Sequence, residues 1–134
     1  MNLQTKFDEW NNVKKAINEQ KSKKQLTIKE IHWIHIGQNV GSEVYGKGKD
    51  FVRPVLVLSV FHNSTFLGVP LTSKTQRKRG KSYYKFTDSK GRIQVALLGQ
   101  MRIFDIKRKV NYISKISDEN FTKLKEKIKN EIIK

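Results

Sequence analysis

Apolar residues near the amino terminus recur at the three- to four-residue spacing of a helix. This spacing predicts an amphipathic helix over residues 3–24, with lysines and other polar residues on its remaining faces. The apolar stripe of this helix consists of Phe7, Trp10, Val13 and Ile17. The stripe is short and the polar face carries charges of both signs, which favours a helix docked on the protein over one lying on a membrane surface.

A second helix is predicted at the carboxyl terminus, beginning after Ser117. Serine is a good N-cap residue, and Asp118 and Glu119 place two carboxylates at the positive end of the helix dipole. The apolar stripe of this helix consists of Phe121, Leu124, Ile128 and Ile132. This pattern predicts a structural role for the helix.

Between the two helices the pattern changes to short apolar or alternating runs, which are typical of strands. The central run covers residues 52–59, where Pro54 fits the first position of a buried strand and residues 55–58 are all apolar. The predicted strands cover residues 28–36, 52–61, 65–71, 83–86, 91–105 with a break at Gly99, and 108–116. The sequence therefore predicts one α+β, mainly β domain, with five or six short strands in a strongly curved antiparallel sheet or barrel.

A long polar loop is predicted between the first two strands, over residues 37–51. It contains four glycines and alternating charges, which are typical of a surface loop, and a loop of this length in a small domain is often a binding loop. Its glycines do not have the spacing of a Walker phosphate loop or of a dinucleotide fingerprint.

The charge balance favours a polyanionic partner. The chain has 28 Lys+Arg and 12 Asp+Glu, a net charge of +16 and a pI near 10.1. Nucleic acid is the first expectation, with an anionic membrane surface or an acidic protein as alternatives. There is no cysteine, so disulfides and cysteine metal sites are excluded. No apolar run approaches the length of a membrane span and no apolar signal segment begins the chain, so a soluble cytoplasmic protein is expected.

Two polar sets lie where a phosphate is easily held. Arg53 stands at the mouth of the central strand, although it is also readable as one exposed cation among many. Thr72 and Ser73 leave a strand beside Lys74, and their alternative role is a local turn bonded to nearby backbone. A third basic set, residues 77–81, precedes an aromatic strand and is either a nucleic-acid clamp or a solvated hairpin tip. His32 and His35 point to opposite faces of a strand, so they are not expected to bind a metal.

Four ordered motifs give the chain a resemblance to the MazF/PemK toxins of bacterial type II toxin–antitoxin systems. They are residues 40–43 (Val-Gly-Ser-Glu), 53–58 (Arg-Pro-Val-Leu-Val-Leu), 70–73 (Pro-Leu-Thr-Ser) and 97–105 (Leu-Leu-Gly-Gln-Met-Arg-Ile-Phe-Asp). The resemblance runs from about Glu30 into the C-terminal helix. It implies a small SH3-like barrel of the CcdB/MazF type over residues 26–134, with residues 1–25 as an N-terminal helical extension of the same single domain.

The resemblance also implies an activity and its partners. It implies a homodimer that acts as a metal-independent, sequence-selective endoribonuclease on single-stranded RNA, including mRNA, without a cofactor. The cognate antitoxin is expected to occupy the RNA groove. Carried over by motif, Arg53 and Thr72 are the expected catalytic residues. The residues expected to bind substrate are Glu43, Ser73, Lys74, Gln100 and Arg102.

The chain departs from one branch of this family at three positions. That branch uses an arginine, an aspartate and a histidine where this chain has Leu97, Gly99 and Ser42, so the mechanism based on Arg53 and Thr72 is expected instead. Two other functions remain as alternatives. One is a CcdB-like toxin that inhibits gyrase without cutting nucleic acid, and the other is an RNA-binding module without catalysis.

Overall fold

The computed structural model describes residues 3–19, 25–37, 51–62, 64–76, 78 and 80–133. Two helices and seven strands make up most of this part of the chain. They are α1 (Leu3–Glu19), β1 (Glu30–His35), β2 (Val52–Val60), β3 (Thr65–Thr72), β4 (Tyr83–Thr87), β5 (Ile93–Leu97), β6 (Arg102–Asp105), β7 (Lys109–Lys115) and α2 (Asp118–Lys127). Short 3-10 turns cover Leu98–Gln100 and Ile106–Arg108, and a π-helical turn at Ile128–Ile132 continues α2.

The strands form one curved antiparallel sheet in the order β4-β5-β3-β2-β1-β7. Strand β3 is the place where the sheet bends, because one of its edges serves two partners. Thr65 to Gly68 pair with β6, whereas Leu71 and Thr72 pair with β5. The predicted α+β fold with a curved antiparallel sheet is confirmed.

The predicted number of five or six strands is too low, and the reason lies at Gly99. The chain does not resume the same strand after this residue. It passes through a 3-10 turn ending at Gln100, and β6 then pairs with a different part of β3 from the part that β5 occupies. The predicted strand over residues 91–105 is therefore two separate strands.

Two buried apolar clusters lie on opposite faces of β2. Leu56 belongs to the cluster that packs under α2 with Phe121 and Leu124, whereas Val55 and Val57 belong to a second cluster with Phe66 and Phe104. Successive strand residues point to opposite faces, so an unbroken apolar run needs cover on both. The apolar run at the start of β2 is the sequence signature of this double cover.

Helix α1 packs against the barrel through a third, smaller cluster, as its apolar stripe predicted. The Trp10 ring lies 5.7 Å from the Phe51 ring and packs with Ile17. It also lies directly over Gly37, where a Cβ atom would collide with the indole and where φ is +96°. The helix extends to Glu19, and the predicted residues 20–24 lie outside the described residues.

Helix α2 begins where the sequence predicted. The Ser117 hydroxyl accepts a hydrogen bond from the Asn120 N–H at 3.1 Å, and Asp118 and Glu119 occupy the first turn. Within the described residues, neither α1 nor α2 combines the length and the apolar character that a membrane-crossing helix needs.

Candidate active-site groove

An open groove of about 530 Å³ lies where β2 begins and β3 ends. The antiparallel register creates it, because Val55 pairs with Pro70 and two further residues along each strand bring Arg53 level with Thr72. The groove is lined by Trp33, Val52, Arg53, Pro54, Leu71, Thr72, Ser73, Arg92, Ile93, Gln94 and Ile113. The structure thus brings together three of the residues predicted from sequence, namely Arg53, Thr72 and Ser73.

Arg53 is held in place by the backbone of the neighbouring strand. Its Nη1 donates a hydrogen bond to the Leu71 carbonyl at 3.2 Å, and only 9% of the residue is exposed. It is therefore not an ordinary exposed rim cation, which was the alternative interpretation. A guanidinium has five N–H donors in a planar fork, a geometry that suits phosphate oxygens.

Thr72 is similarly buried, at 8% exposure, and its hydroxyl has a local partner. Its Oγ1 accepts a hydrogen bond from the Lys74 N–H at 3.2 Å, which is the local turn that the sequence also allowed. A threonine hydroxyl has one donor as well as acceptor lone pairs. The turn uses only the acceptor side and so orients the hydroxyl without using its proton.

The other sequence-predicted residues are distributed more widely. Lys74 is exposed directly beyond the groove, and Gln100 is half-buried in the 3-10 turn. Arg102 starts β6 and lines a different pocket, where its guanidinium lies 4.7 Å from the Phe104 ring centre. Glu43 lies outside the described residues, as does most of the predicted loop over residues 37–51. Gln100 precedes β6, so it does not share a strand face with Arg102 and Phe104.

Sequence reasoning missed three polar or aromatic side chains of the groove. Trp33 reaches the groove from β1, Gln94 reaches it from β5, and Arg92 reaches it from the turn before β5. A signal was present in Gln94, which is a polar residue within an apolar strand pattern. Arg92 carried no comparable signal among so many cations.

A buried carboxylate, Asp88, holds both the turn that carries Arg92 and the Gln94 side chain of β5. Asp88 accepts hydrogen bonds from the backbone N–H groups of Lys90 and Arg92, from Gln94 Nε2 at 3.2 Å and from Ser114 Oγ at 2.9 Å. Burial by itself raises the pKa of Asp88, but these four hydrogen bonds outweigh it and hold the pKa below its usual value. Asp88 is therefore ionised at neutral pH and fixes the wall of the groove.

Buried His32 lies away from the groove beside β7. Its Nε2 is 3.0 Å from Glu30 Oε1, its ring stands edge-on to Tyr112, and its Nδ1 has no partner among the described residues. Burial lowers the pKa of His32, with the Glu30 hydrogen bond opposing that shift. The described residues contain no cluster of three or more His, Cys, Asp or Glu side chains able to hold a metal ion.

The fold of the chain is shared with solved toxin structures. A MazF from Deinococcus radiodurans matches with a TM-score of 0.64 at 18% identity, over 77% of this chain and 92% of that one. The Mycobacterium tuberculosis toxin MazF-mt6 matches with a TM-score of 0.56 at 15% identity, over 78% and 96% of the two chains. At such identities these likenesses show the fold alone.

A third similar structure is described as an endoribonuclease in complex with its cognate antitoxin, from a mycobacterial species. It matches with a TM-score of 0.57 at 12% identity, over 78% of this chain and 91% of that one. No curated protein sequence matches this chain.

The family comparison covers most of the chain and includes the whole groove. The family of PemK-like, MazF-like toxins matches residues 28–132, which leaves α1 outside the matched region. This span includes all seven strands and α2, together with Arg53 and Thr72. The chain belongs to the PemK-like, MazF-like toxins of type II toxin–antitoxin systems.

Proposed function

We propose that this toxin is a metal-independent endoribonuclease that cleaves single-stranded RNA, including mRNA. The observation that carries the proposal is the meeting of Arg53 and Thr72 in one open groove, where the backbone of neighbouring residues holds both side chains. A preorganised cation and a preorganised hydroxyl suit a reaction in which negative charge develops on phosphate oxygens.

In the proposed reaction the nucleophile belongs to the substrate. The ribose 2′-oxygen attacks the adjacent phosphorus as its proton leaves, the bond from phosphorus to the 5′-oxygen breaks, and that oxygen gains a proton. The products are a 2′,3′-cyclic phosphate and a 5′-hydroxyl. Because the attacking group comes from RNA, the protein needs no nucleophilic side chain of its own.

Arg53 and Thr72 stabilise the transition state in this scheme. The guanidinium faces the non-bridging phosphate oxygens, and the Thr72 hydroxyl donates a hydrogen bond to one of them. Arg53 is not assigned as the general base, because a guanidinium stays protonated in proteins. The bond to Leu71 keeps Arg53 in place before substrate arrives, so little reorganisation is needed during the reaction.

Residues around the two catalytic groups position the RNA strand. Ser73 and Arg92 line the groove and offer a hydroxyl and a cation to the backbone, and exposed Lys74 extends the positive surface. Trp33 offers an aromatic surface on which a base can stack. Gln100 and Arg102 remain proposed RNA-binding residues outside this immediate groove. Glu43, which lies outside the described residues, also remains a proposed RNA-binding residue.

The proposal includes the partners of the toxin. We propose that it works as a homodimer in the cytoplasm, where mRNA is available, and that a cognate antitoxin blocks the same groove. An acidic antitoxin segment suits a chain of net charge +16, since it competes with RNA for the same cations.

The test uses purified protein, single-stranded RNA of mixed sequence and EDTA. A parallel substrate carries deoxyribose at the mapped cleavage position. Cleavage in EDTA that stops with the deoxyribose substitution, and leaves a cyclic phosphate end, is the expected result. Intact RNA together with gyrase-dependent DNA breaks overturns the proposal in favour of the CcdB-like activity. RNA that is bound but never cut overturns the assignment of catalysis.

A further inference from the structure

A second basic cavity lies between α1 and the barrel. It has a volume of about 490 Å³ and is lined by Phe7, Asp8, Trp10, Asn11, Lys14, Ile36, Arg102 and Arg108. A smaller depression of about 270 Å³ adjoins it and shares Lys14 and Arg108. Together they form a furrow along α1, which is called the α1 furrow below. Its helical wall lies outside the region matched by the family.

The two arginines of the α1 furrow, Arg102 and Arg108, lie close enough for their positive charges to repel each other. Arg108 donates hydrogen bonds to the carbonyls of His35 at 3.0 Å and Ile36 at 3.5 Å. Burial lowers the pKa of Arg108, the nearby Arg102 guanidinium lowers it further, and Asp105 offsets part of the effect. Within the described part of the chain, neither arginine forms an ion pair with a carboxylate. A bound anion between them relieves the repulsion.

The furrow also has aromatic walls beside its cations. Arg108 lies 5.5 Å from the Trp10 ring centre, and half-buried Phe7 lines the same space one helical turn earlier. Asp8 and Asn11 add short polar side chains that suit base edges. Proteins that bind single-stranded nucleic acid combine cations, which contact the phosphates, with aromatic side chains, on which the bases stack.

The α1 furrow is close enough to the active-site groove for one RNA strand to reach both. Arg53 pairs with Ile34 on β1, and the Ile36 carbonyl that Arg108 caps lies two residues further along. Ordinary strand spacings place the Cα atoms of Arg53 and Ile36 roughly 8 Å apart. The lining of the furrow runs from Phe7 to Ile17 along α1, roughly 15 Å of helix, and this extent fits a chain better than a single small anion.

We propose that the α1 furrow is a second RNA-binding site, in which Lys14, Arg102 and Arg108 hold backbone phosphates of a strand that continues into the groove. The inference rests on the proposed action on RNA and adds a binding surface to it. It assigns α1 a role in substrate binding in addition to its packing on the barrel.

The first experiment compares Lys14→Gln with Lys15→Gln in the full chain. Both lysines are exposed on α1 and both changes remove one charge, but only Lys14 lines the furrow. The probe is a fluorescent, 2′-O-methylated single-stranded RNA of mixed sequence, which lacks the attacking hydroxyl. Lys14→Gln is expected to weaken binding about fivefold and to reduce the slope of log affinity against log salt by about 0.7, whereas Lys15→Gln changes affinity less than about twofold.

A second measurement uses the two tryptophans, one of which lines each cavity. In the Trp33→Phe variant Trp10 is the sole tryptophan, so its emission reports occupation of the α1 furrow. The same RNA is expected to change that emission, and adding Lys14→Gln is expected to shift the titration to higher RNA concentration.

The outcomes separate this inference from the proposed catalysis. Equal RNA affinity of the Lys14→Gln and Lys15→Gln proteins, with unchanged Trp10 emission, overturns the furrow proposal even if unmodified RNA is cut normally. Binding through the furrow without any RNA cleavage supports the furrow and overturns the endoribonuclease assignment. An acidic peptide that changes Trp10 emission at concentrations where the RNA leaves it unchanged overturns the furrow proposal in favour of a protein partner.

Discussion

Arg53 shows how burial and hydrogen bonding turn an ordinary cation into a candidate catalytic group. Arg53 is the second residue of β2, where its side chain is largely buried and donates a hydrogen bond to the Leu71 carbonyl of β3. An exposed lysine or arginine samples many rotamers, whereas this guanidinium has lost most of that freedom during folding. The orientation of its guanidinium is therefore set before any ligand binds.

Replacing Arg53 with alanine is expected to reduce the rate of RNA cleavage about 100-fold or more, by analogy with other lost transition-state donors. Arg53→Lys should restore little of it, because an ammonium lacks the planar fork that contacts both Leu71 and a phosphate. Single-turnover cleavage at saturating protein measures the effect, and the melting temperature monitors folding. An Arg53→Ala protein that cuts at the normal rate would contradict the assignment.

Thr72→Val is expected to lower the cleavage rate about 10- to 100-fold, because it keeps the shape of the side chain but removes the hydroxyl donor. Thr72→Ser is the matched control and should retain most activity, since its hydroxyl accepts the same turn bond from Lys74. A serine variant as slow as the valine variant would show that the methyl group, and not the hydroxyl, matters.

Asp88→Asn is expected to lower the free energy of unfolding by about 1–3 kcal/mol. In the wild type both carboxylate oxygens accept hydrogen bonds, whereas in the variant an NH2 group replaces one oxygen and faces N–H or O–H donors. The pKa of Asp88 is lowered in the folded protein, so its charge stabilises the fold above the unfolded-state pKa of about 3.9. That contribution disappears as the pH falls through the lower folded-state pKa. Urea unfolding across this acidic range should therefore show a flatter pH dependence in Asp88→Asn than in the wild type.

At the scale of elements, helix α1 depends on a close fit between one ring and one glycine. Trp10 occupies the space above Gly37, which follows β1 and has a positive φ. A side chain at this position is disfavoured twice, once by the backbone conformation and once by the indole. The fit places Phe7 and Lys14 beside Arg102 and Arg108, and so creates the α1 furrow.

Gly37→Ala is expected to lower the free energy of unfolding by about 1–3 kcal/mol more than Gly80→Ala. Gly80 has a similar φ of +102°, but no atom lies within 4 Å of the place that a Cβ atom would take, so its alanine variant isolates the backbone cost. Urea denaturation of the two variants measures the difference, and Trp10 emission should shift only in Gly37→Ala. Equal destabilisation of the two variants would mean that α1 adjusts without loss of packing.

At the scale of the whole molecule, the net charge of +16 sets how the protein meets its substrate. Charge of this size draws any polyanion to the surface and accelerates encounter at low salt. It does not select RNA over DNA, and it does not direct the strand to the groove. Those properties depend on the 2′-hydroxyl chemistry proposed for Arg53 and Thr72 and on the shapes of the two cavities.

The affinity for single-stranded RNA is expected to fall steeply with salt, with log affinity decreasing by about 0.7 for each phosphate contact per unit of log salt. The cleavage rate at saturating RNA should change much less, because the buried Arg53 and Thr72 are screened less than the exposed lysines. Anisotropy titrations and single-turnover assays over one salt series provide both quantities. A cleavage rate at saturating RNA that falls steeply with salt, together with an RNA affinity that does not change, would contradict this expectation.

Most elements were predictable from sequence because their signals are local. The helical stripe around Trp10, the N-cap at Ser117 and the doubly covered run from Val55 each depend on neighbours a few residues away. The sequence also identified Arg53 and Thr72 as candidates, since each lies in a stretch that resembles the toxin family, and their catalytic role stays a prediction. The break at Gly99 was visible, but its consequence was not, because it depends on which part of β3 each following strand joins.

By itself, then, the sequence determined the two helices, most of the strands, the basic charge and three members of the candidate site, namely Arg53, Thr72 and Ser73. Tertiary structure alone decided that Trp33, Arg92 and Gln94 share a groove with them, and that Arg102 lies instead beside α1. The physical reason is the separation along the sequence of the residues that interact. Periodicity and capping record interactions over one or two turns of chain, whereas a cavity is formed by residues that strand pairing brings together from distant positions.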